Sequence, residues 1–377
     1  MFEFELEATD GTARAGTLKL PHGEVRTPAF MPVGTNATVR TLSSRDLMHS
    51  GSQMILANTY HLHLRPGEET ISHLGGLHRF MAWDRPILTD SGGFQIFSLA
   101  EFRQVSDRGV EFQSHIDGRK LTMTPEKAVE IQWRLGADVA MALDHVVQGN
   151  SDKGVAAEAL KRTMRWLHQC KTRHDELAAG SPQQQTLWPI IQGGAHLDLR
   201  ANAAAEVTGA ADWTGVAIGG LAVGETKPVM YSVLDSLEPS LPTHIPRYLM
   251  GVGFPEDLLL SIAGGVDLFD CVAPTRNGRN GQAYTADGPI NIRNAAFKRD
   301  SGPLENSCDC ETCETYSRGY LRHLFVAQEL LPLKLLSLHN VRFLVRLGEE
   351  ARDMVIAGRF TGWSRDWIAR YKGQGER

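Results

Sequence analysis

The sequence predicts an α/β protein: a (β/α)8 TIM-type barrel with antiparallel β elements at its N-terminus and a zinc-binding subdomain near its C-terminus. Three observations carry this prediction. Eight short apolar runs recur along the chain, each followed by a Gly-rich or polar loop and then a helix-prone segment. Continuous apolar runs of this kind suit parallel strands buried on both faces, and a closed barrel needs eight. Polar residues gather just after the runs, at the strand ends where such barrels carry their chemistry. Three cysteines cluster in one short segment outside the repeat.

The first thirty residues read as antiparallel strands. Phe2 to Glu7 alternate apolar and acidic side chains, and Asp10-Gly11 is a turn signal. The barrel runs are then residues 29–33, 54–57, 86–88, 139–143, 188–191, 216–218, 248–250 and 266–269. A second hairpin is expected over residues 110–123, turning at Asp117-Gly118. Thr124-Pro125-Glu126 supplies a cap, a first-turn proline and an acid in order. Pro255-Glu256-Asp257 opens another helix, and residues 151–179 form a long helix-prone stretch. The expected division is a catalytic barrel with its N-terminal hairpin over 1–289, the zinc-binding subdomain over 290–345, and a C-terminal helical segment over 346–377.

A chain of 377 residues with 42% hydrophobic content can fill such a barrel as one unit. No apolar run approaches the roughly 20 residues that span a bilayer. The N-terminus lacks the basic start and apolar stretch of a signal peptide. A cytoplasmic protein without a membrane partner is expected. The net charge of −5 argues against a general nucleic-acid binder but leaves room for a local basic patch. An odd count of 5 cysteines, with three clustered, favours a metal site over a disulfide framework.

Asn58 and Thr59 follow the second run, Asp90 the third, Asp144 the fourth, Gln192 the fifth, Gly219-Gly220 the sixth and Asp270 the last. A single acid at a strand end commonly caps a helix or holds a loop. Several converging on one rim point to chemistry. In Asp90-Ser91-Gly92-Gly93-Phe94-Gln95 the glycines permit a tight turn, and Phe94 offers a flat face for a base. Gln192-Gly193-Gly194 and Gly219-Gly220-Leu221 offer backbone groups to the edge of a heterocycle. Neither has the G-x-G-x-x-G spacing, and no G-x-x-x-x-G-K-[ST] occurs, so Rossmann and P-loop readings are excluded. Asp270 stands among apolar neighbours, where an acid is costly without a task or partner. Cys271 is a rival nucleophile, although a cysteine beside a buried strand is more often a small core residue.

Cys308-x-Cys310-x-x-Cys313 followed by His339 has the character of a structural Cys3His zinc site. The intervening residues 318–336 read as one helix that returns the histidine at its end. His323 is the competing fourth ligand, placed less well at mid-helix. Four ligands close the site, which makes the zinc structural.

Together these segments resemble the tRNA-guanine transglycosylase family, the queuine tRNA-ribosyltransferases. The resemblance rests on Asp90-Ser91-Gly92-Gly93-Phe94-Gln95, Met141-Ala142-Leu143-Asp144, Ile190-Ile191-Gln192-Gly193-Gly194 and Ile218-Gly219-Gly220-Leu221-Ala222-Val223-Gly224-Glu225. It continues through Leu249-Met250-Gly251-Val252-Gly253, the stretch from Phe269-Asp270-Cys271 to Arg276-Asn277-Gly278-Arg279, and the zinc cysteines. It implies Asp270 as a nucleophile on C1′ of the wobble guanosine and Asp90 as general acid/base. It implies that Asp144, Gln192, Gly219, Gly220 and Leu221 bind the base edge, with Phe94 and Met250 on its faces. The implied partners are a tRNA anticodon loop, contacted by Arg276 and Arg279, together with guanine and a 7-deazaguanine. A homodimer with the zinc subdomain at the contact is also implied.

After Asp144, bacterial members usually carry Glu-Cys, whereas this chain has His145-Val146-Val147. The valine resembles the eukaryotic form, which uses queuine. Gly220-Leu221-Ala222-Val223-Gly224 and Glu225 resemble the bacterial form, which takes preQ1. PreQ1 is the expected base and queuine salvage the alternative. A non-catalytic RNA-binding partner subunit is the other class, and loss of Asp90 or Asp270 would mark it; both are present. A nucleoside hydrolase would use the same carboxylates but need neither the zinc subdomain nor the arginines.

Overall fold

The structure, a computed structural model, describes residues 2–99 and 103–373. It begins with an antiparallel sheet of β1 (Glu3–Asp10), β2 (Ala13–Leu20) and β3 (Gly23–Thr27), in that order. The parallel strands follow: β4 (Ala29–Gly34), β5 (Ile55–Ala57) and β6 (Ile87–Thr89). A second antiparallel sheet interrupts them with β7 (Arg103–Ser106), β8 (Gly109–Gln113) and β9 (Lys120–Met123). The sequence predicted the last two of these strands; β7 joins their edge. The parallel series resumes with β10 (Val139–Met141), β11 (Thr186–Trp188), β12 (Ile190–Ile191), β13 (Val216–Ile218), β14 (Arg247–Leu249) and β15 (Leu268–Cys271).

The order across the parallel sheet is β11-β10-β6-β5-β4-β15-β14-β13-β12. β11 and β12 at the two ends are halves of one chain segment, separated only by Pro189. That segment closes the barrel. Every predicted run falls on a strand, and the fifth is split. Its first half pairs with β10 and its second with β13. Proline has no N–H for a ladder, but its carbonyl still accepts the Ala217 N–H at 2.9 Å.

The barrel interior is packed by Met31, Leu56, Leu88, Met141, Trp188, Ala217, Tyr248 and Leu268. Leu18, Leu20 and Val25 of the N-terminal sheet join that cluster. Two anchored aspartates explain the docking. Arg14 pairs with Asp267, just before β15, at 3.3 Å. His22 reaches Asp138, just before β10, at 2.8 Å. The sheet therefore covers the end where the strands start, and the opposite rim is left for the site.

Thr124 caps the helix Pro125–Leu135, its side chain accepting the Lys127 N–H at 3.2 Å. The long helix-prone stretch is the helix Lys153–Ala178. Near the C-terminus the structure corrects one expectation. Residues 318–336 are not one helix ending at the histidine. A helix Arg318–Val326 stops, Gln328 adopts a left-handed φ of 60°, and a second helix, Leu331–Ile356, holds His339 within it. Leu331–Ile356 runs unbroken across residues 345 and 346 and packs on the helix Ala273–Arg279. Their approach is so close that a Cβ on Gly278 would lie 2.7 Å from the Ser337 nitrogen. Among the described residues no helix is long and apolar enough to cross a membrane.

Candidate active site and metal centre

Asp90 is buried at the end of β6 in a ring of donors. The Thr59 N–H donates to Oδ1 at 2.8 Å, and the side-chain amides of Gln95 (2.7 Å) and Asn58 donate to Oδ2. Burial outweighs them and, with help from the negative charge of Asp270, pushes the Asp90 carboxyl up to about 6.

Asp270 is half-buried in β15. Its Oδ1 accepts the Tyr248 hydroxyl at 2.6 Å and the Gly251 N–H at 2.7 Å. Burial raises this carboxyl too, and the two donors draw it back. Two carboxylates whose environments differ in this way, close enough to perturb one another, suit an acid/base and a nucleophile.

A second group gathers around Asp144. Its Oδ2 accepts the Gln192 amide at 2.6 Å and its Oδ1 the Ser91 hydroxyl at 2.9 Å. The turn at Gly219 and Gly220 lies directly on Gln192: a Cβ on Gly219 would sit 2.8 Å from Nε2, and one on Gly220, where φ is +65°, 2.2 Å from Oε1. Met250 Sδ would lie 3.5 Å from the same Gly219 Cβ. Leu221 is buried beside the turn. Phe94 exposes nearly half of its surface on the helix Gly93–Leu99 and neighbours Phe97.

Arg276 and Arg279 lie on the helix that follows β15. Burial, then the positive charges of Arg40 and Arg276, push the Arg279 guanidinium below its ordinary value, and its Nη1 is buried without a partner among the described residues. Arg40 was not singled out from the sequence, and a lone arginine in a loop gave no signal. His145 turns away from the Asp144 group. Its Nδ1 lies 3.1 Å from Arg162, and burial with that charge lowers it to about 4, which keeps it neutral.

Two further residues escaped the sequence reading. Tyr248 was read only as strand core. Arg200 is fully buried in the helix Leu197–Ala210. It stands on the stripe of Ala203, Ala204 and Val207, the i, i+3, i+4, i+7 pattern of a core-facing helix surface. A charge on that stripe was the available signal.

The ligand atoms of Cys308, Cys310, Cys313 and His339 all lie within 4.8 Å of one another. His339 Nδ1 is 3.3 Å from Cys313 Sγ and 3.6 Å from Cys310 Sγ. Metal–sulfur bonds of about 2.3 Å and metal–nitrogen bonds of about 2.0 Å at tetrahedral angles place S and N about 3.5 Å apart. The opposite ring nitrogen, Nε2, is 2.7 Å from the Tyr284 carbonyl, the outer contact that fixes a ligating tautomer. The group fits a metal ion. His323 is not part of it.

The fold and rim define the class: a (β/α)8-barrel enzyme with two interacting carboxylates at its open end and a Cys3His group alongside. The family profile of queuine tRNA-ribosyltransferase matches residues 9–373. A queuine tRNA-ribosyltransferase of Herpetosiphon aurantiacus is 49% identical over 371 residues, covering 98% of this chain and 93% of its own. Those of Pelotomaculum thermopropionicum and Oleidesulfovibrio alaskensis are each 50% identical, covering 96% and 98% of this chain and 96% and 97% of their own. The chain belongs to the queuine tRNA-ribosyltransferase family.

Proposed function

We propose that this chain is a tRNA-guanine transglycosylase that replaces the wobble guanine of G-U-N anticodon tRNAs with preQ1, in queuosine biosynthesis. The Asp90–Asp270 pair carries the reading. Asp270 attacks C1′, the bond from C1′ to guanine N9 breaks, and Asp90 gives its proton to the departing base. The tRNA is then an ester of Asp270. Asp90, now ionised, takes the N9 proton of the incoming base, whose nitrogen attacks C1′ and releases Asp270. Two displacements give retention. The raised value of Asp90, about 6, supports the acid role near neutral pH.

Asp144 and Gln192, with the turn at Gly219, Gly220 and Leu221, read the base edge, and Phe94 and Met250 cover its faces. The target base must leave its stack to reach them. Arg276 and Arg279 meet the tRNA backbone. Their positive charge beside the nucleophile, with Arg40, supports this. The metal is Zn2+, held by Cys308, Cys310, Cys313 and His339; a thiolate-rich tetrahedral set favours it. It organises the chain and leaves the chemistry to the rim. Tyr320, Val326, Leu330 and Leu331 are exposed on and between the two helices that follow the cysteines, which supports a homodimer contact there. The compartment is the cytoplasm.

Queuine is the second reading for the incoming base, favoured by the buried Val146 beside Asp144. The test offers preQ1 and queuine in equal amounts with unmodified tRNA and identifies the incorporated base by mass spectrometry. PreQ1 supports the main reading, queuine makes this a salvage enzyme, and incorporation of neither base overturns the exchange reading. With Asp270→Ala, a covalent tRNA adduct on a denaturing gel would remove the nucleophile assignment.

A further inference from the structure

Arg200 is a fully buried cation with no hydrogen bond to a carboxylate among the described residues. Its guanidinium is spent on main-chain carbonyls from two strand ends. Nε donates to Gly194 O at 2.8 Å, Nη1 to Ile191 O and Gly219 O, each at 2.8 Å, and Nη2 to Gly220 O at 3.4 Å. The helix backbone and the arginine stem pack closely on Gly193: a Cβ there would lie 3.0 Å from the Arg200 main-chain nitrogen and 3.2 Å from Arg200 Cδ. Burial lowers the guanidinium to about 10, so it stays charged at neutral pH.

A trans peptide directs its C=O and the next N–H to opposite sides. Carbonyls of Gly219 and Gly220 drawn to Arg200 therefore turn the N–H groups of Gly220 and Leu221 away from it. Neither amide has a protein acceptor among the described residues. The far side of the turn is held in the opposite sense, with the Glu225 carboxylate accepting the N–H groups of Ala222 and Val223. Two fixed donors thus stand beside Gln192 and Asp144. Guanine presents a matching edge, with a 6-oxo acceptor next to the N1–H and 2-amino donors that a carboxylate accepts.

We propose that Arg200 is the positioning residue for base recognition: it fixes the Gly219-Gly220-Leu221 turn so that two amides meet the 6-oxo group of guanine and of the incoming 7-deazaguanine. This rests on the transglycosylase reading above. A site built to donate to an oxygen rejects an analogue lacking it, because its buried donors are left unpaired.

The experiment measures binding of guanine and of 2-aminopurine, which lacks the 6-oxo group and with it the N1–H in wild type and variants alike, to the zinc-loaded protein by calorimetry. Arg200→Met and Arg200→Lys are compared with the wild type, and folding is checked by thermal unfolding. In Arg200→Met, guanine affinity falls by about tenfold or more while 2-aminopurine affinity changes by less than about twofold. Arg200→Lys, which reaches fewer carbonyls, recovers part of the discrimination and carries the test alone where the methionine variant does not fold. Wild-type discrimination retained in the folded variants overturns the role of Arg200. Wild-type protein that binds neither base overturns the transglycosylase reading instead.

Discussion

Tyr248 donates its hydroxyl to Asp270 Oδ1 at 2.6 Å, and the Gly251 N–H reaches the same oxygen at 2.7 Å. Oδ2 has no protein donor among the described residues, which leaves it as the oxygen for the attack proposed above. Burial and the Asp270 charge hold the phenol far above its ordinary value, so it is always the donor. A hydrogen bond to a charged group contributes roughly 1.5–3 kcal/mol. Tyr248→Phe is expected to slow formation of the covalent adduct by about 10- to 100-fold. Losing a donor also raises the Asp270 carboxyl, so the acid limb of the pH–rate profile moves to higher pH. A limb that stays in place would separate Tyr248 from the ionisation of Asp270.

Asp90 makes the protein's stability depend on pH in a defined sense. Its folded value is about 6, against about 3.9 for an unfolded aspartate. The stability linked to its neutral form is complete below about pH 4 and lost as pH rises through about 6, a difference of about 3 kcal/mol. In Asp90→Asn the side chain is always neutral. Gln95 Oε1 is buried without a partner among the described residues, so the Gln95 amide can turn over to accept from the new amide. Asp90→Asn is expected to be inactive yet more stable than wild type at pH 8, with the gap closing below pH 4. Denaturant unfolding at the two pH values measures it. Equal stability at pH 8 would mean that burial does not raise this carboxyl.

The barrel was legible because β-strands buried on both faces leave continuous apolar runs, and each run ends where its polar residue begins, as Leu143 does before Asp144. What the sequence hid depends on long-range placement. Pro189 looks like an ordinary interruption until its two flanks are seen to pair with strands on opposite sides. Tyr248 reads as core because only its hydroxyl leaves the apolar cluster. The cysteine spacing gave the metal group, whereas the helix break at Gln328 was set by a left-handed backbone that no glycine announced.

The metal centre is expected to hold the active site as well as the C-terminal region. His339 is followed by Asn340, whose side chain accepts the Tyr284 N–H at 2.9 Å and donates to Pro274 O at 3.0 Å. Pro274 lies just after the strand that carries Asp270. Structural zinc contributes on the order of 10 kcal/mol to small domains at neutral pH. Cys310→Ser is expected to bring bound zinc from one equivalent per chain to near zero, lower the melting temperature and reduce exchange activity. Elemental analysis by mass spectrometry with a thermal melt decides it, and full metal occupancy in the variant would sink the ligand assignment.

Gly220 is where the smallest change has the most specific effect. Its φ of +65° is one that L side chains rarely adopt. A Cβ there would also sit 2.2 Å from Gln192 Oε1. Gly220→Ala must therefore displace Gln192, whose amide holds Asp144, or swing the turn away from both. The turn lies at the rim, outside the packed barrel interior, so the melting temperature is expected to fall by only a few degrees, in line with a surface-turn cost of about 1–2 kcal/mol. Exchange activity is expected to fall by about a hundredfold, because misplaced donors lose both binding and alignment of the base. The contrast with Gly118, a left-handed turn glycine with nothing near its Cβ, isolates the effect of the contact from that of the dihedral angle. Gly118→Ala is expected to cost similar stability and leave exchange intact. Equal losses of activity in the two variants would show that backbone strain, and not the Gln192 contact, governs the site.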